Sequence, residues 1–365
     1  MTTLRSLLES YAGSVPGAVG LVGRGDHVEV AAVGEVEQDS IFRLASAAKP
    51  ITAAAVMMLV EAGLVGLADP VDPWLPELAE PRVVRTPESP LDDTVPARRA
   101  ITVRDLLDFR AGYGFTDFEL PAVAALFERV QDIYDPKIVG PVDEWMAELS
   151  RIPMLHQPGE AWLYNTCSDL QGVLIARVSG QSLPDFLAER IFQPLGMVDT
   201  AFHVPQEKRD RFTTQYRNGP DGLTAVDGPD GLWSRPPSFP AGAGGLVSTA
   251  ADCHRFGRML LAGGQHLLSE RSVRQMMTDQ LTAAQRAASA AFLDGQGWGF
   301  GGAVDVEPTE PWNVPGRYGW SGGTGTSLHV VPDTGTVTVL LTQVELDSPT
   351  PPEVMRAFWR YSAVT

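Results

Sequence analysis

The spacing of apolar and polar positions along this 365-residue chain changes period twice. An amphipathic stretch over residues 3–11 predicts a first helix. Residues 17–23 and 27–33 are short β-rich runs joined through Gly23-Arg24-Gly25-Asp26, which reads as a hairpin. From Ser46 onward the pattern turns helical, over residues 51–62, 103–109, 142–150, 168–178, 183–191, 250–261 and 270–277. Proline-rich connections fill residues 70–96 and 219–240, and loops of that length are commonly walls or lids of a site. The β pattern returns over residues 297–303, 317–320, 327–331 and 337–342, with Asp333-Thr334-Gly335 as a turn, and residues 352–362 predict a closing helix. Sheet at both ends with helices between predicts an α+β unit over residues 1–365. Residues 1–68 and 290–365 would form an α/β subdomain, residues 69–289 a mainly helical one, and the cleft would lie between them.

Composition narrows the class of function. With 44% hydrophobic residues the chain can bury a large core. Its 28 basic against 45 acidic residues give a net charge of −17, which disfavours nucleic acid and anionic membrane as partners. Two cysteines, Cys167 and Cys253, are too few for a zinc framework and read as free thiols. The amino terminus shows no signal-peptide pattern, since Glu9 interrupts its apolar run, and a cytoplasmic location is expected. Glu61, Gly63 and Gly66 mark the apolar stretch 51–68 as a buried helix rather than a membrane span.

The chemistry concentrates at Ser46-Ala47-Ala48-Lys49. Spacing of i, i+3 at a helix start brings a hydroxyl beside an amine. A serine hydroxyl needs a neighbouring group to take its proton, and a lysine kept partly neutral by burial can do so. The helix start adds unpaired N–H groups that favour developing negative charge. Alone, this four-residue string is common by chance, so its context decides.

That context resembles the serine β-lactamase and penicillin-binding-protein superfamily, in its class C-like esterase branch (family VIII carboxylesterase-like). The resemblance rests on an ordered series spanning nearly the whole chain: residues 41–50 around Ser46, residues 59–71 after it, Ile101 to Leu107 before the loop Phe109-Arg110-Ala111-Gly112, Pro158 to Asn165, Pro194 to Thr200, and Trp320-Ser321-Gly322-Gly323. It implies a β-lactamase-like fold, an antiparallel sheet from both termini flanked by helices. It also implies Ser46 as nucleophile, Lys49 and Tyr164 as the groups that move its proton, and the N–H groups of Ser46 and Gly323 as the oxyanion hole. Which of Lys49 and Tyr164 is the base stays open at this level. Trp320, Ser321 and Gly322 are implied to border the substrate, with Trp320 replacing the family's cation, so uncharged esters become the natural ligands.

The second motif departs from the family's Y-x-N, reading Tyr164-Asn165-Thr166. If the fold is kept, Thr166 takes the amide's place beside the lysine and Asn165 points elsewhere; both are candidate substrate contacts. Ser168 or Asp169 is expected to cap the helix that follows. Gly319-Trp320-Ser321-Gly322-Gly323 also spells G-x-S-x-G, but a nucleophile elbow needs a helix after the serine and a later acid and histidine, and His329 is the last histidine. The six histidines show no metal spacing, so no metal or cofactor is expected. The expected function is cleavage of a small-molecule ester through an acyl-serine, with acyl transfer, or β-lactamase or D-peptidase activity, as rivals using the same acylation chemistry. Oligomeric state is not legible.

Overall fold

The computed structural model describes residues 3–131 and 140–364. Its main sheet has seven strands: β1 (Gly17–Arg24), β2 (His27–Gly34), β3 (Gly297–Trp298), β4 (Ala303–Val304), β5 (Tyr318–Gly322), β6 (Thr326–Val331) and β7 (Thr336–Thr342). They lie in the order β2-β1-β7-β6-β5-β4-β3, and every neighbouring pair is antiparallel. The register of β1 on β7, with Leu21 opposite Val339, joins the two ends of the chain in the middle of the sheet.

Alternation along the strands sends two sets of apolar residues to two cores. Ala18, Val22 and Leu340 face the terminal helices α1 (Leu4–Glu9) and α7 (Glu353–Val364), meeting Leu4, Leu8 and Phe358. Val19, Leu21, Val337 and Val339 face the opposite way, into a larger core shared with the helical region. That region contains α2 (Lys49–Glu61), α3 (Val103–Leu107), α4 (Pro121–Arg129), α5 (Thr166–Ser179) and α6 (Ala250–Leu261). Helix α2 has 11 residues of its 13 buried, which is why its sequence is apolar on all sides. Among the described residues no helix is long and apolar enough to cross a membrane.

Two expectations change. The run 297–303 is a tight hairpin rather than one strand: Gly299 N–H donates to Gly302 O at 2.8 Å and Gly301 takes a φ of 73°. Glycine makes that reversal accessible inside an apolar run. The connection 219–240, expected as irregular loop, contains part of a second hairpin, Gln215–Gly219 with Gly222–Asp227. Asp227 at its end pairs with Arg43, whose guanidinium also donates to Thr213 O at 2.7 Å and lies 4.0 Å from the Phe212 ring. Burial lowers the Arg43 pKa, and Asp227 opposes that shift. The short strand Phe42–Arg43, paired with Val247–Ser248, thereby anchors the backbone just ahead of Ser46.

Candidate active site

Ser46 lies in a single 3-10 turn, Ala45–Ala48, which runs directly into α2 at Lys49. Three residues per turn eclipse positions i and i+3, so the two side chains meet more closely than on an α-helix. Lys49 Nζ stands 2.8 Å from Ser46 Oγ, 2.8 Å from Asn165 Oδ1 and 2.8 Å from Ala243 O. The Lys49 residue is 0% exposed, and burial pushes its pKa down to about 7, against the opposing charge of Asp169. The amine is therefore partly neutral near neutral pH. A neutral amine has two N–H donors and one lone pair. The Ala243 carbonyl and the Asn165 amide oxygen are acceptors only, so they take both donors and leave the lone pair facing the Ser46 hydroxyl.

Tyr164 completes the polar group from the other side. Its hydroxyl is hydrogen-bonded to Ser46 and accepts the Trp320 indole N–H at 2.6 Å. Burial pushes the Tyr164 pKa up to about 12, despite those two bonds, so it stays a phenol at neutral pH. An indole only donates. With Lys49 neutral, Trp320 donates to Tyr164, Ser46 to Lys49, and Lys49 to Asn165 and Ala243.

The sequence reading of the second motif is corrected here. Asn165 is the amide beside the lysine, whereas Thr166 is 0% exposed and its hydroxyl accepts from Gln131 Nε2 at 2.8 Å. The cause is the backbone of Asn165, at φ 81° and ψ −68°, with Thr166 N–H bonded back to Tyr164 O at 3.3 Å. This is a γ-turn, a rare and strained conformation that reverses the chain within three residues and swings the amide one position early into place. Ala45, with φ 45°, and Phe109, with φ 61°, are also non-glycine residues at positive φ and flank the same site. Strain of this kind persists where the surroundings over-determine it, and it clusters at functional sites. Replacing Asn165 with Ala is expected to lower kcat about 10²-fold, the scale of a misplaced catalytic group, while Thr166→Ser leaves kcat near wild type; ester turnover of the two purified variants checks this.

The third motif ends strand β5. Thr324 and Thr326 hydroxyls donate to the Arg43 and Leu44 carbonyls, each at 2.6 Å, strapping the β5–β6 turn to the chain two residues ahead of Ser46. A side chain at Gly322 would come within 2.2 Å of Leu44 O, so only glycine permits this approach. Gly323 opens onto free space, and its carbonyl accepts from Leu346 N–H at 2.7 Å. Strand β4 pairs with Tyr318 and Gly319 alone, so the edge at Trp320, Ser321 and Gly322 has no ladder partner in β4. Ser321 sits on that edge, opposite Ser327 of β6. The segment after it is another strand, so the G-x-S-x-G string forms no elbow.

Sequence reasoning missed the aromatic surroundings and the glycine-rich segment. Phe109, Phe115, Trp162, Phe292, Trp298 and Trp320 all lie with ring centroids within 6.4 Å of the Tyr164 ring. Their positions are scattered between residues 109 and 320, so no local pattern announces the cluster. Gly242-Ala243-Gly244-Gly245 carries the Ala243 carbonyl to Lys49, a contact that no motif spacing announces. Asp169, expected as a helix cap, instead accepts the Ala243 N–H at 2.9 Å. Burial raises its pKa, opposed by that N–H and by Lys49.

Comparison with known proteins agrees with this architecture. The Beta-lactamase family model matches residues 4–356, and the chain belongs to that family of serine hydrolases. Protein Rv1367c of Mycobacterium tuberculosis is 37% identical over 322 residues, covering 84% of this chain and 78% of its own. Lovastatin esterase of Penicillium rubens is 32% identical over 308 residues, covering 78% and 75%. Among solved structures, EstCE1, a hydrolase with promiscuous acyltransferase activity, superposes with a TM-score of 0.81 at 22% identity, covering 98% of this chain and 97% of its own, and shares the fold.

Proposed function

We propose that this protein hydrolyses uncharged carboxylic esters in two steps through an acyl-Ser46 intermediate. The observation that carries this reading is the Lys49 amine, whose N–H groups are committed to Asn165 and Ala243 and whose lone pair meets the Ser46 hydroxyl. Lys49 takes the serine proton as Ser46 Oγ bonds the acyl carbon. The oxyanion forms at the N–H groups of Ser46 and Gly323, a device whose donors are each worth about 3 kcal/mol. The tetrahedral centre then expels the alkoxide, which takes the Tyr164 proton, and the Lys49 ammonium returns a proton to Tyr164 through a solvent molecule. A water then gives its proton to Lys49 as it attacks the acyl carbon, and the new tetrahedral centre collapses with that proton returning to Ser46 Oγ, which frees the acid and restores the resting serine. With its pKa pushed up, Tyr164 relays the proton and Lys49 is the base. The aromatic cluster around Tyr164 and the indole at Trp320 suit an apolar acyl or alcohol group without charge. The likeness to lovastatin esterase supports an ester as substrate.

The test is turnover of p-nitrophenyl butyrate beside nitrocefin, followed across pH. Ester turnover is expected to exceed nitrocefin turnover by far; comparable rates would favour β-lactam hydrolysis. Because burial lowers the Lys49 pKa to about 7, the base is depleted below that value. Then kcat/KM for the ester falls about tenfold per pH unit on the acid side. A profile flat through that range would remove Lys49 from the role.

A further inference from the structure

Asp169 is a buried carboxylate that takes no part in the steps above. It occupies the first turn of α5, is 6% exposed, and lies across the Ala243 main chain from Lys49. Ala243 is bonded on both sides: its N–H donates to Asp169 Oδ1 at 2.9 Å, and its carbonyl accepts from Lys49 Nζ at 2.8 Å. The side chain of α5 therefore fixes the position of one of the two acceptors that orient the amine.

We propose that Asp169 is a positioning residue for Lys49: through the Ala243 main chain it holds the amine against Ser46, and its carboxylate balances the ammonium formed when Lys49 takes the serine proton. The inference rests on the reading of Lys49 as the base. In that step the Ser46 O–H bond breaks and a third N–H bond forms on Lys49, so a positive charge appears in a place closed to water. A buried ammonium without a counter-charge is costly, and a carboxylate held nearby makes its formation easier.

The other groups around the pair leave this role to Asp169. Segment 241–245 is alanine and glycine only. Ser46 faces the amine with a neutral hydroxyl, and Tyr164 with its ring, whose centroid lies 4.7 Å from Lys49 Nζ. Cys167, buried in α5, has its thiol pushed up by burial and by Asp108, Asp105 and Asp169, and so stays neutral. From the α3 side, Asp105 is paired with Arg99, and Asp108 with Arg110. Asp169 is the carboxylate whose charge acts on Lys49.

Asp169→Asn separates charge from shape, since an amide oxygen can still accept the Ala243 N–H. A nearby negative charge raises an amine's pKa, so its removal lowers that of Lys49 further. The acid limb of kcat/KM for p-nitrophenyl butyrate should move to lower pH by about 1 unit. The plateau should fall about tenfold as the base weakens, with KM little changed. A limb that stays in place or moves to higher pH, in a variant melting as a folded protein, overturns the inference. If Asp169→Asn does not fold, Asp169→Ser, whose hydroxyl also accepts without charge, is read in the same way. The readings fail separately. An unchanged Asp169→Asn profile beside an inactive Lys49→Met sinks the counter-charge role of Asp169 alone, an unchanged kcat in Asp169→Ala, which loses the bond to Ala243 N–H, sinks its positioning role, and wild-type turnover in Lys49→Met sinks the assignment of the base.

Discussion

Ser46→Ala is expected to lower kcat/KM for p-nitrophenyl butyrate by about 10⁶-fold, or about 8 kcal/mol of transition-state stabilisation. Loss of Oγ removes the covalent step itself, so the remaining groups bind an ester without a nucleophile. The fold should survive, because the neutral Lys49 amine keeps both N–H groups on Asn165 and Ala243. An unchanged thermal melt beside the lost turnover is the expected pair of results. Turnover within tenfold of wild type would mean that another residue carries the acyl group.

Lys49→Met is expected to cost about 10⁴-fold in kcat/KM. Methionine fits a buried site of similar length and has no lone pair able to take the serine proton. It also leaves the Asn165 and Ala243 oxygens without the Lys49 donors, and an unsatisfied buried acceptor costs about 1–3 kcal/mol, so the melting temperature should drop as well. Lys49→Arg sharpens the comparison. A guanidinium donates as the ammonium does, yet it stays protonated throughout the accessible pH range. If the lone pair is what matters, Lys49→Arg loses as much rate as Lys49→Met; substantial rescue by arginine would assign Lys49 an electrostatic role.

The residues that share a short stretch of helix were legible in the sequence. Ser46 and Lys49 stand one turn apart whatever the rest of the chain does, and the order of later motifs placed Tyr164 and Trp320 beside them. The strands of the two termini were legible as short β-rich runs bounded by turn residues, and the central ones bury both faces, one against each core. The exchange of Asn165 and Thr166 was hidden, since it depends on a strained γ-turn that spacing cannot reveal. Helix α4 was missed because its short apolar run, opened by Pro121, lies beside other loop-like residues. Asp169 looked like a cap because its partner Ala243 lies 74 positions away. Such a bond exists only once α5 and the glycine-rich segment pack together.

The most direct measurement is the rate at which a fluorophosphonate labels the protein, followed by intact mass and peptide mapping across pH. A single adduct on Ser46 is expected, absent in Ser46→Ala, with a labelling rate that falls about tenfold per pH unit below about pH 7 as Lys49 becomes protonated. An adduct on any other residue, or a labelling rate indifferent to pH through that range, would contradict the transfer of the Ser46 proton to a neutral Lys49.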